Sequence, residues 1–352
     1  MTRQTWRTAV AALISLLVLA GCATPPQPLP AASASTAPPK ALGMAGSAQA
    51  RQSGAPDQPG VAAEAFKPVQ VSPSAWMLQG LSAQGSTQNQ NFISNAGFVV
   101  TPAGVVVIDA LGSPILAVRL LEEIGKITPL PVTHVIVTHY HADHIYGLQV
   151  LKAAGARVVA HTKGRDYVGS DAARTRLDAS RQELAPWIDS TTQVVPADEW
   201  LDGAKELVLG GIRLQIKPMG PAHTPEDLVV YLPSEGVLFA GDLVFRGRIP
   251  FVGQADSGRW GKALGDMLTL QPKVVVPGHG PASTQAVADM ELTRAYLAHL
   301  RASMGKAAKA MDPFEDAYKA TDWSQFEKVP LFGVLNRMNA YNTYLLMERE
   351  GD

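Results

Sequence analysis

His139-Tyr140-His141-Ala142-Asp143-His144-Ile145-Tyr146-Gly147 places three histidines and one carboxylate within six consecutive positions. A lone histidine is most often a core or surface residue, but four ligand-type side chains at this density point to a metal site. Upstream, Val132-Thr133-His134-Val135-Ile136-Val137-Thr138 is a β-branched apolar run that predicts a buried strand. Downstream, Asp143 to Ala154 predicts a helix, with Ile145, Leu148, Val150 and Leu151 available for its inner side. The histidines thus fall on a strand-to-helix turn, where a rigid scaffold presents side chains at its rim. His139 and His141, two apart in extended backbone, can face one ion, while Asp143 and His144, one turn on, can serve a second.

Working outward, the same arrangement of apolar strand, rim and ligand recurs. Trp76 to Leu81 and Asn91 to Val100 read as strands, and Gly104-Val105-Val106-Val107-Ile108-Asp109 is a third that delivers a carboxylate before Gly112. Asp109 is either a turn-capping aspartate or an outer group that holds the histidine loop. Ser113 to Lys126 carries helical spacing. Arg157 to His161 is a short strand whose histidine reads as structural, and Lys163 to Trp187 is a polar helical stretch. Lys205 to Leu209 and Ile212 to Lys217 flank Gly210-Gly211 as a hairpin. The second of these leads to His223. Asp227 to Leu232 and Gly236 to Ala240 form another hairpin ending in Gly241-Asp242, and Val274-Val275-Val276-Pro277-Gly278-His279-Gly280 closes the series. Five of the eight histidines, 139, 141, 144, 223 and 279, fall in this pattern. Beyond Pro281 the chain is helical, with apolar stripes over Gln285 to Lys309 and Val334 to Glu348. Asn336, Arg337, Asn339 and Tyr341 are either core-facing or reach the mouth of the site, and Tyr140, Tyr146, Phe245, Arg246, Arg248 and Phe251 flank ligands closely enough to line it.

The 352 residues exceed one typical domain and suit one core with appendages. Apolar residues at 46% and charged residues at 17% fit a globular chain, and a net charge of −1 gives no electrostatic case for nucleic acid. The only cysteine, Cys22, permits no intramolecular disulfide. Arg3 and Arg7 form a basic segment, Ala9 to Ala20 an apolar one too short for a membrane span, and Leu19-Ala20-Gly21-Cys22 resembles a bacterial lipobox. Residues 1–22 are therefore read as a lipoprotein signal peptide with Cys22 as the lipidated residue, anchored in a lipid bilayer. Ala23 rather than aspartate follows it, which favours the outer membrane and a periplasm-facing domain in the cell envelope. Residues 23–72, rich in Ala, Pro, Ser, Gly and Gln, read as a disordered tether. The remaining expectation is a catalytic domain over 73–283 with C-terminal helices over 284–352 packed on it.

Taken together, these motifs resemble those of the metallo-β-lactamase superfamily, whose His-x-His-x-Asp-His signature is matched by His139, His141, Asp143 and His144, and its later ligands by His223, Asp242 and His279. The resemblance covers about residues 75 to 283. It implies an α/β fold, an αββα sandwich of two mixed sheets flanked by helices, with a C-terminal helical extension here. It also implies two zinc ions, the first on His139, His141 and His223, the second on Asp143, His144 and His279, with Asp242 bridging. Imidazole and carboxylate donors suit zinc, and iron or manganese suits the same set. Two such ions about 3.5–4 Å apart can hold one hydroxide that attacks a carbonyl, with Asp143 orienting it and accepting its proton.

The passages Leu238-Phe239-Ala240-Gly241-Asp242-Leu243-Val244-Phe245 and Pro277-Gly278-His279-Gly280 look like those of the glyoxalase II-like and SoxH-like branch, in which an aspartate bridges where zinc β-lactamases commonly have cysteine or serine. The expected activity is hydrolysis of a small-molecule thioester, ester or lactam. The alternatives are a metallo-β-lactamase acting on β-lactam antibiotics, a mononuclear iron persulfide dioxygenase, and a non-catalytic metal-binding lipoprotein. The sequence specifies no oligomeric state.

Overall fold

The computed structural model describes residues 61–351, so the expected signal, Cys22 and the tether up to residue 60 lie outside the described residues. The β-branched runs form two mixed sheets. The first contains β1 (Val69–Gln70), β2 (Ala75–Leu78), β3 (Ala96–Thr101), β4 (Gly104–Ile108), β5 (Val132–Ile136), β6 (Arg157–His161) and β7 (Glu199–Leu201), side by side in chain order. Its first four strands are antiparallel neighbours and β4 to β7 run parallel. The second contains β8 (Lys205–Leu209), β9 (Ile212–Pro218), β10 (Leu228–Leu232), β11 (Val237–Phe245) and β12 (Val274–His279), antiparallel except for the β11–β12 pair.

Alternation along the strands then builds three apolar layers. In β4, Val106 and Ile108 join Met77, Val99 and Ile136 against Ile216, Val230 and Phe239 of the other sheet, forming the inner core. Val105 and Val107 point the other way, toward Leu116, Leu120 and Ile124 of α1 (Pro114–Ile127) and Leu148 and Leu151 of α3 (Leu148–Ala153). The outer face of the second sheet, with Val229, Leu238 and Val275, is covered by Trp260 and Leu264 of α6 (Ser257–Leu268), Met290, Tyr296 and Leu300 of α7 (Ala286–Ala310) and Ala340 and Tyr344 of α9 (Phe332–Gly351). Each such large side chain removed from water contributes about 1.5–3 kcal/mol. The result is the expected αββα sandwich, with the C-terminal helices as part of its outer layer.

Several boundaries differ from the sequence reading. The helix expected over Asp143 to Ala154 is two pieces, α2 (Ala142–Ile145) and α3, because Gly147 lies so close to the Ala110 carbonyl that a Cβ there would overlap it. The packed body also begins before residue 73. Phe66 is buried against Phe92, centroids 4.9 Å apart, with the Arg119 guanidinium 4.0 Å over its ring, and β1 pairs with β2. The polar stretch after β6 forms α4 (Gly164–Val168) and α5 (Asp171–Glu183). Strand β7 and helix α6 were not expected, and α8 (Phe314–Ala320) lies between the two stripes read in the helical C-terminal part. Gly261 and Gly265 weaken the helical signal of α6, although Trp260, Ala263, Leu264 and Met267 keep helical spacing. Among the described residues no helix is long and apolar enough to cross a membrane.

Candidate metal centre

The loops that follow β4, β5, β9 and β12, together with β11 itself, converge at one edge of the sandwich. There His139, His141, His223 and Asp242 form one group and Asp143, His144 and His279 a second, with the ligand-type atoms of each group within 4.8 Å of one another. Asp242 faces both. One of its oxygens, Oδ2, lies 3.4 Å from His223 Nε2, 3.8 Å from His139 Nε2 and 3.3 Å from His279 Nε2, while Oδ1 lies 3.2 Å from His144 Nε2. Asp143 Oδ2 approaches His279 Nε2 at 3.3 Å and His144 Nε2 at 3.7 Å. All seven residues singled out in the sequence therefore meet at one place.

For His139, His144 and His279 a bond on the far side of the ring fixes which nitrogen is free. Asp109 lies just past β4, and its carboxylate accepts from the Thr138 N–H (2.8 Å), the Thr138 hydroxyl (2.7 Å) and His144 Nδ1–H (2.9 Å). Because the threonine hydrogen is committed to Asp109, Thr138 Oγ1 accepts from His139 Nδ1–H at 3.0 Å. His279 Nδ1–H donates to the Ile93 carbonyl at 2.7 Å. Each of these bonds leaves the Nε2 lone pair pointing inward. Of the two readings of Asp109, the one that holds the histidine loop is the observed one.

The electrostatics follow from burial and crowding. Burial pushes His139 and His141 below the ordinary imidazole value, and His223 down to about 3, so these rings are neutral donors. Against the same burial, Asp242, Asp143 and Asp109 lift His144 well above it, and Asp242 and Asp143 lift His279. In turn, and again against burial, His144 and His279 hold Asp143 and Asp242 below the usual carboxylate range. His139 Nε2, His144 Nε2 and Asp242 Oδ1 are buried without a hydrogen-bond partner. Inward lone pairs, two carboxylates and orphaned buried acceptors are what divalent cations satisfy, so the residues present fit a pair of metal ions.

The remaining candidates sort cleanly. Phe245 stacks on His279 with centroids 5.0 Å apart and planes 6° apart, and Phe251 sets its ring edge-on to His141 at 5.8 Å. Arg248 is buried, lies 5.7 Å from the Phe245 centroid, touches His279 Nδ1 at 3.3 Å and has no carboxylate partner among the described residues. Arg246 instead pairs with Asp289 at 2.9 Å. Tyr140 and Tyr146 are core residues rather than mouth residues, since both belong to the apolar layer under α1. His161 lies outside both groups, its Nδ1 3.4 Å from Lys163 N. Arg337 and Tyr341 are surface residues, the first paired with Glu315, the second edge-on to Phe314.

The sequence reading missed the residues that hold the ligands in place. Asn95 donates to the carbonyls of Pro277 and Gly280 (2.7 and 2.8 Å), gripping the His279 turn from both ends. Glu226, kept above the usual carboxylate range by burial, accepts the Tyr140 N–H at 3.1 Å between two ligand histidines. Trp260 sets its ring against His223 at 5.1 Å. For Glu226 the signal was present, as two adjacent acids opening an apolar strand. Asn95 carried none, because its role is fixed by contacts more than 180 residues away.

Residues 90–279, more than half of the chain, match the family model of the metallo-beta-lactamase superfamily. Metallo-beta-lactamase IND-1 of Chryseobacterium indologenes is 24% identical over 195 residues, 54% of this chain and 73% of that protein. A linear primary-alkylsulfatase of Pseudomonas sp. is 24% identical over 240 residues, 57% of this chain and 45% of that one. Among solved structures, a stereoselective inverting sec-alkylsulfatase from Pseudomonas sp. shares the fold with a TM-score of 0.63 at 16% identity, over 80% of this chain and 50% of that one. The chain thus spans about half the length of the alkylsulfatases that it matches.

Proposed function

This chain belongs to the metallo-β-lactamase superfamily and is a metal-dependent hydrolase with that family's paired His/Asp site, and from that premise we propose that it uses two zinc ions to hydrolyse a thioester, ester or lactam carbonyl, in the glyoxalase II-like and SoxH-like branch. The observation that carries the proposal is Asp242. A carboxylate whose oxygens face His139, His223, His144 and His279 within 3.2–3.8 Å would be shared by metal held in both ligand groups, in the position where zinc β-lactamases commonly have a cysteine or serine. When bound, the ions supply Lewis acidity and bring a water molecule to a pKa of about 7. Asp143, its side chain 16% exposed where Asp242 is 3% exposed, is the carboxylate that meets incoming substrate and water, orienting the nucleophile and taking its proton. Arg248 adds a buried positive charge beside His279. Phe245 and Trp260 keep the inner wall dry. The proposal extends to Cys22 as a lipid anchor that faces the domain into the periplasm.

The names borne by the relatives favour a β-lactamase as the second reading. One experiment separates the two. The purified chain is analysed for metal and assayed with a thioester, a p-nitrophenyl ester, a chromogenic cephalosporin and an alkyl sulfate, beside Asp143→Ala. About two zinc ions per chain with thioester or ester turnover, lost by 10³-fold or so in the variant, supports the first reading. Preference for the cephalosporin supports the second. Turnover of the alkyl sulfate alone, or one iron per chain without hydrolysis, refutes both. A Cys22→Ser chain that still partitions with membranes refutes the anchor.

A further inference from the structure

Asn339 lies in the middle of α9, outside the family-matched residues 90–279, and is fully buried. An amide in such a place is costly unless its polar atoms are hydrogen-bonded. Here both are, through three bonds. Its Oδ1 accepts the Val252 N–H at 2.9 Å, and its Nδ2 donates to the Pro250 carbonyl at 2.8 Å and to the Tyr296 hydroxyl at 3.0 Å. The two backbone bonds fall on either side of Phe251. Further along, the Ile249 N–H donates to the Pro330 carbonyl at 2.9 Å, and the Asp256 N–H to the Ala222 carbonyl, next to His223, at 2.9 Å. With its backbone gripped from the helix side, Phe251 has its side chain directed to the metal centre, edge-on to His141 at 5.8 Å and to His223 at 6.3 Å. Unlike Phe245 and Trp260, it is only half-buried, as is His141, so it forms the accessible wall beside the first ligand group. Gly253 makes room for it. At φ +52° its ideal Cβ would come within 2.9 Å of the Phe251 ring.

We propose that Phe251 is the specificity-determining wall of the site, that it receives an apolar or aromatic group attached to the scissile carbonyl, and that Asn339 is its positioning residue. This rests on the carbonyl-hydrolase reading given above. An aromatic edge at van der Waals distance from the acyl group discriminates by contact area, and such contacts are worth about tenfold or more per matched group. Small acyl groups leave the wall unused, large ones fill it.

The test compares the wild-type chain with Phe251→Ala, Asn339→Ala, Asn339→Asp and Gly253→Ala on p-nitrophenyl acetate, butyrate and phenylacetate, with bound zinc measured in each. Expected is a wild-type preference for phenylacetyl over acetyl that falls by about tenfold in Phe251→Ala, through KM for the phenylacetate. Asn339→Ala and Gly253→Ala reproduce that loss at unchanged zinc content, and Phe251→Ala/Asn339→Ala is no worse than Phe251→Ala alone. Asn339→Asp, which keeps the acceptor for Val252, retains part of the preference. A readout free of turnover uses 4-fluorophenylalanine at position 251. Its ¹⁹F resonance shifts when EDTA removes the metal, and the shift collapses in Asn339→Ala. An intact acyl preference in Phe251→Ala, or an unaltered preference and ¹⁹F response in Asn339→Ala, overturns the proposal. A wild-type chain inert toward every ester and thioester overturns the hydrolase reading and the acyl assignment with it, while the fluorine shift still decides whether Asn339 sets the ring.

Discussion

Replacing Asp109 by asparagine exchanges one carboxylate oxygen for NH₂ and should disable both ligand groups at once. Asparagine tolerates the left-handed backbone found here, φ +61°, so the loop itself keeps its course. One oxygen still accepts the Thr138 N–H. The position of Oδ2, however, which accepts from His144 Nδ1–H and the Thr138 hydroxyl in the native chain, becomes an NH₂ that can only donate to them. To avoid opposed donors, His144 must move its proton to Nε2, and Thr138 must accept from the amide and donate to His139 Nδ1, which moves that ring's proton inward as well. Flipping the amide does not help, because it sets the NH₂ against the Thr138 N–H. One histidine in each group then presents N–H where a lone pair is required. Loss of such an outer partner costs about 10–100-fold in metal affinity, or roughly 1.4–2.7 kcal/mol per ion. Competition with a chromophoric chelator measures both affinities, and ¹⁵N chemical shifts of the imidazoles report the tautomers directly. Affinities for both ions within about twofold of wild type, with His144 still protonated on Nδ1, would refute the reasoning.

Other expectations are more compact. In metal-free protein, His139, His141 and His223 have folded pKa values below the unfolded value of 6.5, so their burial destabilises the fold as pH falls through 6.5. His144 and His279 have values above it, so their contribution is present below 6.5 and lost as pH rises through the folded values. Urea midpoints of the metal-free chain should therefore peak near pH 6.5, and a monotonic profile would count against these assignments. Zinc should displace the protons of the raised pair, so its affinity climbs with pH and calorimetry in buffers of different ionisation enthalpy should detect proton release on binding. Asn95→Ala leaves the carbonyls of Pro277 and Gly280 and the Gly80 N–H without their partner, which should cost about 3 kcal/mol or more in urea unfolding and lower occupancy of the His279 group first. Gly278→Ala places a Cβ against Asp242 Oδ1 and should displace that carboxylate, so that bound metal falls by half or more while the inter-sheet core, read by near-UV dichroism, persists.

How much of this was written in the sequence depends on distance along the chain. The seven metal-facing residues were legible because four of them lie within six consecutive positions and the other three, His223, Asp242 and His279, follow apolar strand runs. Asp109 was legible as a carboxylate at a strand end, yet only the fold brings it within 2.9 Å of His144. The break between α2 and α3 was not, since it is imposed by the Ala110 carbonyl on the neighbouring strand loop rather than by helix propensity. Tyr140 and Tyr146 looked like mouth residues because they flank ligands, but successive side chains on the turn point to opposite sides, and theirs enter the core. Asn339 sat within an apolar stripe, and the sequence left open whether it faces the core or the mouth of the site. What gives it meaning is a loop nearly 90 residues earlier.

Asp242 differs from the other metal-facing residues in its mounting. The histidines and Asp143 lie on turns, in the short helix α2 or at a strand end, whereas Asp242 lies within β11, between β10 and β12, with Gly241 at φ +52° bulging the strand and Gly278 vacating the space for its carboxylate. A donor mounted in this way cannot follow an ion as it arrives or departs. The place from which it would meet a metal is then a property of the sheet, set by strand pairing and not by a loop. The same backbone hydrogen bonds that hold the sandwich together thus keep this carboxylate in register with the histidines around it.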